Sequence, residues 1–118
     1  MTLIQDPVSL FLALLVSHAL ADFPLQGDYL ARQKVRKDAT SKSEWLIALS
    51  AHSVIQAGGV WLLTGSLALG VVEFILHWLI DLAKGEDKFG VVVDQSLHLL
   101  CKLAYVIIVT YSIGNNVT

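Results

Sequence analysis

The chain has 118 residues, of which 55% are apolar and 15% charged, whereas a soluble domain carries about a quarter charged residues. That length excludes a second domain, and a mean hydropathy of +0.66 excludes a fold whose apolar matter is covered by its own polar surface. A net charge of −2 excludes a nucleic-acid surface, which needs a basic excess, and a single cysteine, Cys101, excludes an internal disulfide.

Four apolar runs follow in chain order, at about 7–22, 45–63, 67–83 and 91–113. Their lengths centre on the ~20 residues that a membrane-spanning helix needs. Four segments are too few and too long for a closed barrel, so helix is the only spanning choice. The fold expected is therefore an all-α, four-helix transmembrane bundle running up-down-up-down as a single domain. The first and third runs are short, which implies little tilt or local thinning of the bilayer.

Ala19-Leu20-Ala21 mimics a signal-peptidase site, but no Lys or Arg precedes Arg32. A positive n-region is missing, and the first run is expected to stay uncut. Between the first two runs lies one long connection, from Pro24 to Ser43. Its apolar Tyr29, Leu30 and Val35 alternate with Arg32, Lys34, Arg36 and Lys37. Such a pattern fits a short helix in the headgroup region or a solvated loop.

Ser41-Lys42-Ser43-Glu44 reads as a capping box ahead of the second run, with Trp45 as an interfacial anchor. Thr64-Gly65-Ser66 is a tight break that makes runs two and three an antiparallel hairpin, and 85–90 is the next polar turn. Gly114-Asn115-Asn116 is expected to end the fourth run. The Asn116-Val117-Thr118 sequon is a three-residue match and is read as accidental.

Basic residues set the orientation. Arg32, Lys34, Arg36, Lys37, Lys42, Lys84 and Lys88 all follow the first or third run. The positive-inside rule then puts both of those connections in the cytoplasm and both termini outside. A bacterial inner membrane is the expected location.

The polar residues inside the runs carry the chemistry. Spacing by four places His18 with Asp22, His52 with Gln56, Glu73 with His77 and Asp81, and Asp94 with His98 and Lys102, one stripe to each helix. Alternating threading brings all four histidines to the cytoplasmic end. Ionisable groups in a span cost several kcal/mol, on the order of 3, unless they face inward and find partners. Ala48, Gly59 and Gly70 offer close helix approach beside them. Glu73 and Lys102 are expected to form the deepest pair, a buried salt bridge, with Tyr105 extending the stripe.

Two readings of the cluster remain open. In the first, His18, Asp22, His52, His77, Asp81, Asp94 and His98 ligate a divalent metal, zinc before manganese or iron, as one ion or two. Gln26, Gln56 and Gln95 would then orient ligands. In the second, the same groups form a hydrogen-bonded core that fixes helix register. Asp22 alternatively caps the segment at Phe23-Pro24, and Asp81 alternatively stays solvated at a helix end. Trp45, Trp61 and Trp78 read as interfacial belt residues, and Cys101 as packing.

His18-Ala19-Leu20-Ala21-Asp22-Phe23-Pro24-Leu25-Gln26, then His52, His77-Trp78-Leu79-Ile80-Asp81 and Asp94-Gln95-Ser96-Leu97-His98 resemble a family of small bacterial and phage inner-membrane proteins, a domain of unknown function. Lys34 and Lys84 fit its pattern. The resemblance covers nearly the whole chain and implies a multi-pass membrane protein without an established activity. The His/Asp pattern is more distantly similar to that of membrane-bound metal-dependent hydrolases, which are longer and differently spaced.

The leading expectation is a metal-binding membrane protein, in its sharper form a metal-dependent hydrolase acting on a lipid or other membrane-borne substrate. Asp22, Asp81 and Asp94 are the candidate catalytic carboxylates. Anionic headgroups are the expected partner of Arg32–Lys42, and a homo-oligomer is compatible with the reading. Proton or metal-ion transport and a structural, partner-recruiting role are the alternatives. The apolar far half weighs against transport, since it offers no continuous polar path.

Overall fold

The structure, a computed structural model, describes residues 4–116, with side chains through residue 112. Every described element is helical: α1 (Pro7–Asp22), α2 (Gly27–Gln33), a 3-10 turn (Arg36–Asp38), α3 (Lys42–Thr64), α4 (Leu67–Gly85) and α5 (Val91–Asn116). Two of these are long and apolar enough to cross a membrane, α3 and the Val91–Ser112 part of α5. The pair α1 and α2, bent by 84° at the break between them, makes a third if it forms one span. α4 is not among them, because its 19 residues include Glu73, Asp81 and Lys84.

Local chemistry sets the ends. Asp6 caps α1, its carboxylate accepting from the Ser9 N–H at 2.8 Å, and Pro7 follows at the first helical position. α3 begins three residues ahead of the expected 45, where Ser41 Oγ accepts from the Glu44 N–H at 3.1 Å. Only that half of the capping box is seen. The Glu44 carboxylate turns instead to the Tyr29 hydroxyl of α2, which ties the connection down. α5 runs helical past the expected end at 113 and through Gly114. A lone glycine costs a helix only about 0.5–1 kcal/mol relative to alanine and does not stop it. Val117 and Thr118 of the sequon lie outside the described residues.

The long connection is helical in part, and α2 is the form it takes. Gln33 folds the chain back by donating to Thr40 Oγ1 at 2.7 Å and accepting from the Thr40 N–H at 2.8 Å. Arg36 then grips Glu86 through two bonds of 2.6 and 2.9 Å, and Lys37 pairs with Asp87. Donation from Arg36 holds the Glu86 carboxyl below its ordinary pKa. The two polar connections thus meet at one end of the molecule.

α3 and α4 make the tightest hairpin. Gly65 sits at φ 71°, a left-handed conformation that closes α3 with its N–H on the Trp61 carbonyl. Ser66 caps α4 in turn, accepting from the Leu69 N–H at 3.2 Å. Gly70 then lies so close to α3 that a Cβ there would stand 2.9 Å from Trp61 Cβ and 3.2 Å from the Ala57 carbonyl oxygen.

Burial is inverted relative to a soluble protein. Among the described residues, buried polar side chains outnumber buried apolar ones, while Leu62, Val92, Val8 and Ile47 lie two-thirds or more exposed. Inside, the core has two levels. Leu10, Leu14, Val60, Leu69, Tyr105, Val106 and Val109 pack together at the end of the α3–α4 turn. Histidines and carboxylates fill the end of the polar connections, where α1 and α4 finish and α3 and α5 begin.

Replacing Gly70 with Val is expected to destabilise the protein by ~1–3 kcal/mol through forced separation of α3 and α4, read as a lower melting temperature in detergent. Gly58→Ala, where a Cβ meets nothing within 4 Å, is expected to leave the melting temperature unchanged or raised.

Candidate metal centre

Each helix delivers its stripe to one level. The ring centroids of His18 and His98 lie 5.0 Å apart, those of His52 and His77 5.0 Å, and those of His77 and His98 4.1 Å. All four imidazoles are buried, as are Asp22, Asp81 and Asp94. The structure therefore brings together all seven residues singled out as metal ligands.

The imidazole Nε2 atoms point at the carboxylates. His52 Nε2 is 2.9 Å from Asp22 Oδ1, 3.5 Å from Asp81 Oδ2 and 3.1 Å from His77 Nε2. His77 Nε2 is 3.7 Å from Asp22 Oδ1 and 3.4 Å from Asp81 Oδ2. His98 Nε2 is 3.2 Å from Asp81 Oδ1 and 3.4 Å from Asp94 Oδ1. Several of these separations exceed a good hydrogen bond. They match the ~3.3–3.4 Å edge of a tetrahedron whose donors sit ~2.0–2.1 Å from a central ion.

Proton accounting sharpens the point. Glu73 receives Lys102 Nζ at 2.7 Å and the Tyr105 hydroxyl at 2.8 Å, so it is an ionised, acceptor-only carboxylate. His77 Nδ1, 3.0 Å from Glu73 Oε2, must then be the donor of that bond. A neutral His77 is left with a bare Nε2 facing into the cluster. One proton, on His52 Nε2, serves three acceptors there: Asp22 Oδ1, Asp81 Oδ2 and His77 Nε2. Asp94 Oδ1, buried, has no hydrogen-bond partner.

Three glutamines were candidates for orienting ligands, and two touch them. Gln95 donates to Asp22 Oδ2 and to Asp94 Oδ2, both at 3.0 Å, which turns its carbonyl oxygen to His18 Nε2 at 3.0 Å. His18 Nε2 is thus a donor, and it also stands 3.3 Å from Asp22 Oδ2. Gln56 donates to Asp22 Oδ1 at 2.9 Å. Gln26 reaches only the backbone, donating to the Asp22 carbonyl at 3.0 Å. The spacing put it near the site, but α1 has ended by then and its side chain serves the helix end.

Neither bland alternative for the aspartates describes the fold. Asp22 caps nothing, because α2 starts only at Gly27 and the carboxylate is taken by His52, Gln56 and Gln95. Asp81 is buried and bound rather than solvated.

One participant was missed. Lys34 donates to Asp81 Oδ2 at 3.0 Å from the connection after α2. No helical spacing ties Lys34 to the stripes, so periodicity could not find it. A cavity of about 210 Å³ opens beside it, lined by Asp22, Asp81, Asp94 and Gln95 together with Lys34 and Lys84. Three sets of donors are close enough to hold an ion, each within 4.8 Å of one another: His18, His77 and His98; Asp22, His52 and His77; and Asp81, Asp94 and His98.

The model of a protein family of unknown function, DUF3307, matches residues 10–118. The chain belongs to this family. No curated protein and no solved structure matches the chain. The resemblance of the His18–Gln26, His77–Asp81 and Asp94–His98 motifs to a domain of unknown function agrees with this membership. DUF3307 brings no chemistry with it, so the residues must supply the argument.

Lys102→Met, which strands the Glu73 charge at 1% exposure, is expected to cost ~3–5 kcal/mol. The double variant Glu73→Gln, Lys102→Met is expected to recover much of that loss, as measured by unfolding in mixed micelles.

Proposed function

We propose that this chain is a four-span membrane protein that holds a divalent metal ion, zinc before manganese or iron, at the end of its bundle, and that it is a metal-dependent hydrolase of a membrane-borne substrate. The observation that carries the metal reading is the bare His77 Nε2 among acceptor oxygens, fixed by Glu73 on the other side of the ring. Carboxylate, imidazole and metal in series is the usual way proteins orient a ligating histidine.

The placement of the charges of α4 supports four spans. Glu73 and Asp81 are buried, while Val71, Val72, Ile75 and Leu79 are exposed. A count of charges along α4 penalises groups that packing hides from lipid. At about 1.5 Å per residue the 16 residues of α1 reach ~24 Å, short of a ~30 Å hydrocarbon core. The bilayer thins there or α2 lies sideways beneath it. Trp45 and Trp78, with rings 6.5 Å apart near one end, and Trp61 near the other, suit the two interfaces.

We assign the end bearing seven basic residues to the cytoplasm, and both termini to the far side of a bacterial inner membrane. Lys34, Arg36 and Lys37 are already paired with acids, which leaves Arg32 and Lys42 to meet anionic headgroups.

A bound ion of this kind polarises its substrate and lowers the pKa of water toward ~7. The chain's own part is to place Asp22, Asp81 and Asp94 on the cavity wall, where a carboxylate can take a proton, and to seal the far side with apolar packing. That seal favours an enclosed site over a transport path.

Elemental analysis of detergent-purified protein tests the metal reading. Stoichiometric metal is expected in the wild type and its loss in the His52→Ala, His98→Ala double variant. Metal-free wild type of full stability would favour the hydrogen-bonded structural core instead. Hydrolysis is read separately, as turnover of a chromogenic ester in mixed micelles that chelation abolishes and zinc restores.

A further inference from the structure

We infer that the centre takes two ions, one on Asp22, His52 and His77 and one on Asp81, Asp94 and His98, with Asp81 joining them. This rests on the metal reading above and goes beyond it in stoichiometry and in the division of ligands.

The two triads share no residue, so both can be filled at once. Asp81 faces both. Its Oδ1 is 3.2 Å from His98 Nε2, while its Oδ2 is 3.5 Å from His52 Nε2 and 3.4 Å from His77 Nε2. A carboxylate with one oxygen toward each set is placed as a bridge. His77 and His98, one from each triad, stack with centroids 4.1 Å apart and planes 25° apart. Two-metal hydrolytic sites hold their ions ~3.5–4 Å apart, a spacing that one bridging carboxylate can span.

Ligand supply agrees. A single zinc takes four ligands in most sites, and the cluster holds more donors than that. With one ion on the first triad, Asp94 Oδ1 would stay buried without a hydrogen bond, 3.4 Å from His98 Nε2. With one ion on the second, His77 Nε2 would keep only its share of the His52 Nε2 proton, 3.1 Å away. Each triad contains a group that the other leaves unsatisfied.

The third donor set, His18, His77 and His98, borrows from both triads and competes with them. His18 is also committed elsewhere, since its Nε2 proton serves the Gln95 carbonyl. His18 is therefore a positioning residue that holds Asp22 through Gln95. Lys34 has the opposite role. Its ammonium sits on Asp81 Oδ2 at 3.0 Å, the oxygen turned to His52 and His77, where it supplies the positive charge that an ion would bring. Metal loading displaces Lys34 toward the cavity that it already lines.

Titration of chelator-stripped, detergent-purified protein with Mn²⁺, followed by calorimetry and electron paramagnetic resonance, tests the pairing. The expected result is saturation at two equivalents, with the isolated-ion signal giving way to a coupled-pair signal as the second enters. Asp94→Asn is expected to stop at one equivalent with an uncoupled signal, and Gly58→Ala, away from the centre, to keep two. Saturation of the wild type at one equivalent overturns the two-ion assignment and leaves the metal reading intact. No binding at all overturns both. Two ions in folded Asp94→Asn overturn the division of ligands, and wild-type stoichiometry decides the matter if that variant fails to fold.

Discussion

A charge buried among packed helices has nowhere to find water, and the whole molecule is arranged around that constraint. Glu73, Asp22, Asp81, Asp94 and Lys102 lie on three helices whose outer surfaces are largely apolar. Each must therefore be met from within. The pair of Glu73 and Lys102 meets this demand completely, with Tyr105 and His77 taking up the remaining capacity of the carboxylate. One level away the three aspartates do not reach the same state. Asp22 is well bonded, but several other approaches of imidazole to carboxylate are too long for good hydrogen bonds, and Asp94 Oδ1 makes none. The contrast between a closed network and an open one, a turn or so apart on the same helices, is what separates structural polar residues from a site.

The closed network also gives the open one its geometry. Because Lys102 keeps Glu73 ionised, Glu73 fixes which nitrogen of His77 carries the proton and which way the ring faces. A residue that ligates nothing thereby decides what a neighbour can ligate. Gln95 does similar work at the mouth, linking His18, Asp22 and Asp94 through one side chain.

Much of this was legible in the sequence, for a physical reason. Helical periodicity is strict, so His18 and Asp22, or Glu73, His77 and Asp81, share a face wherever a helix forms. The break at Thr64-Gly65-Ser66 is likewise local, since a left-handed cap and a serine cap need no distant partner. What escaped depends on contacts between segments that no period links. Lys34 reaches Asp81 across 47 positions, and Arg36 reaches Glu86 across 50. Glu44 looked like half of a capping box until Tyr29 claimed it. The 84° turn between α1 and α2 falls where Phe23 leaves helical geometry and Gly27 takes a φ of 70°, which the spacing of the polar stripes does not specify. Gln26 lines the cavity and bonds to the Asp22 carbonyl, a backbone contact that its position in a motif does not specify.

The latch of Arg36 on Glu86 and Lys37 on Asp87 gives the molecule an uneven stiffness. Exposed ion pairs are each worth only about 0–1 kcal/mol and fade with ionic strength, whereas the donors beneath them are fixed on long helices. The joined connections, which run on from the cavity-lining Val35 and Gly85, are therefore softer than the helix-borne cluster. The two surface pairs can slip while the nitrogens and oxygens below keep their spacing, because separate bonds hold the two parts.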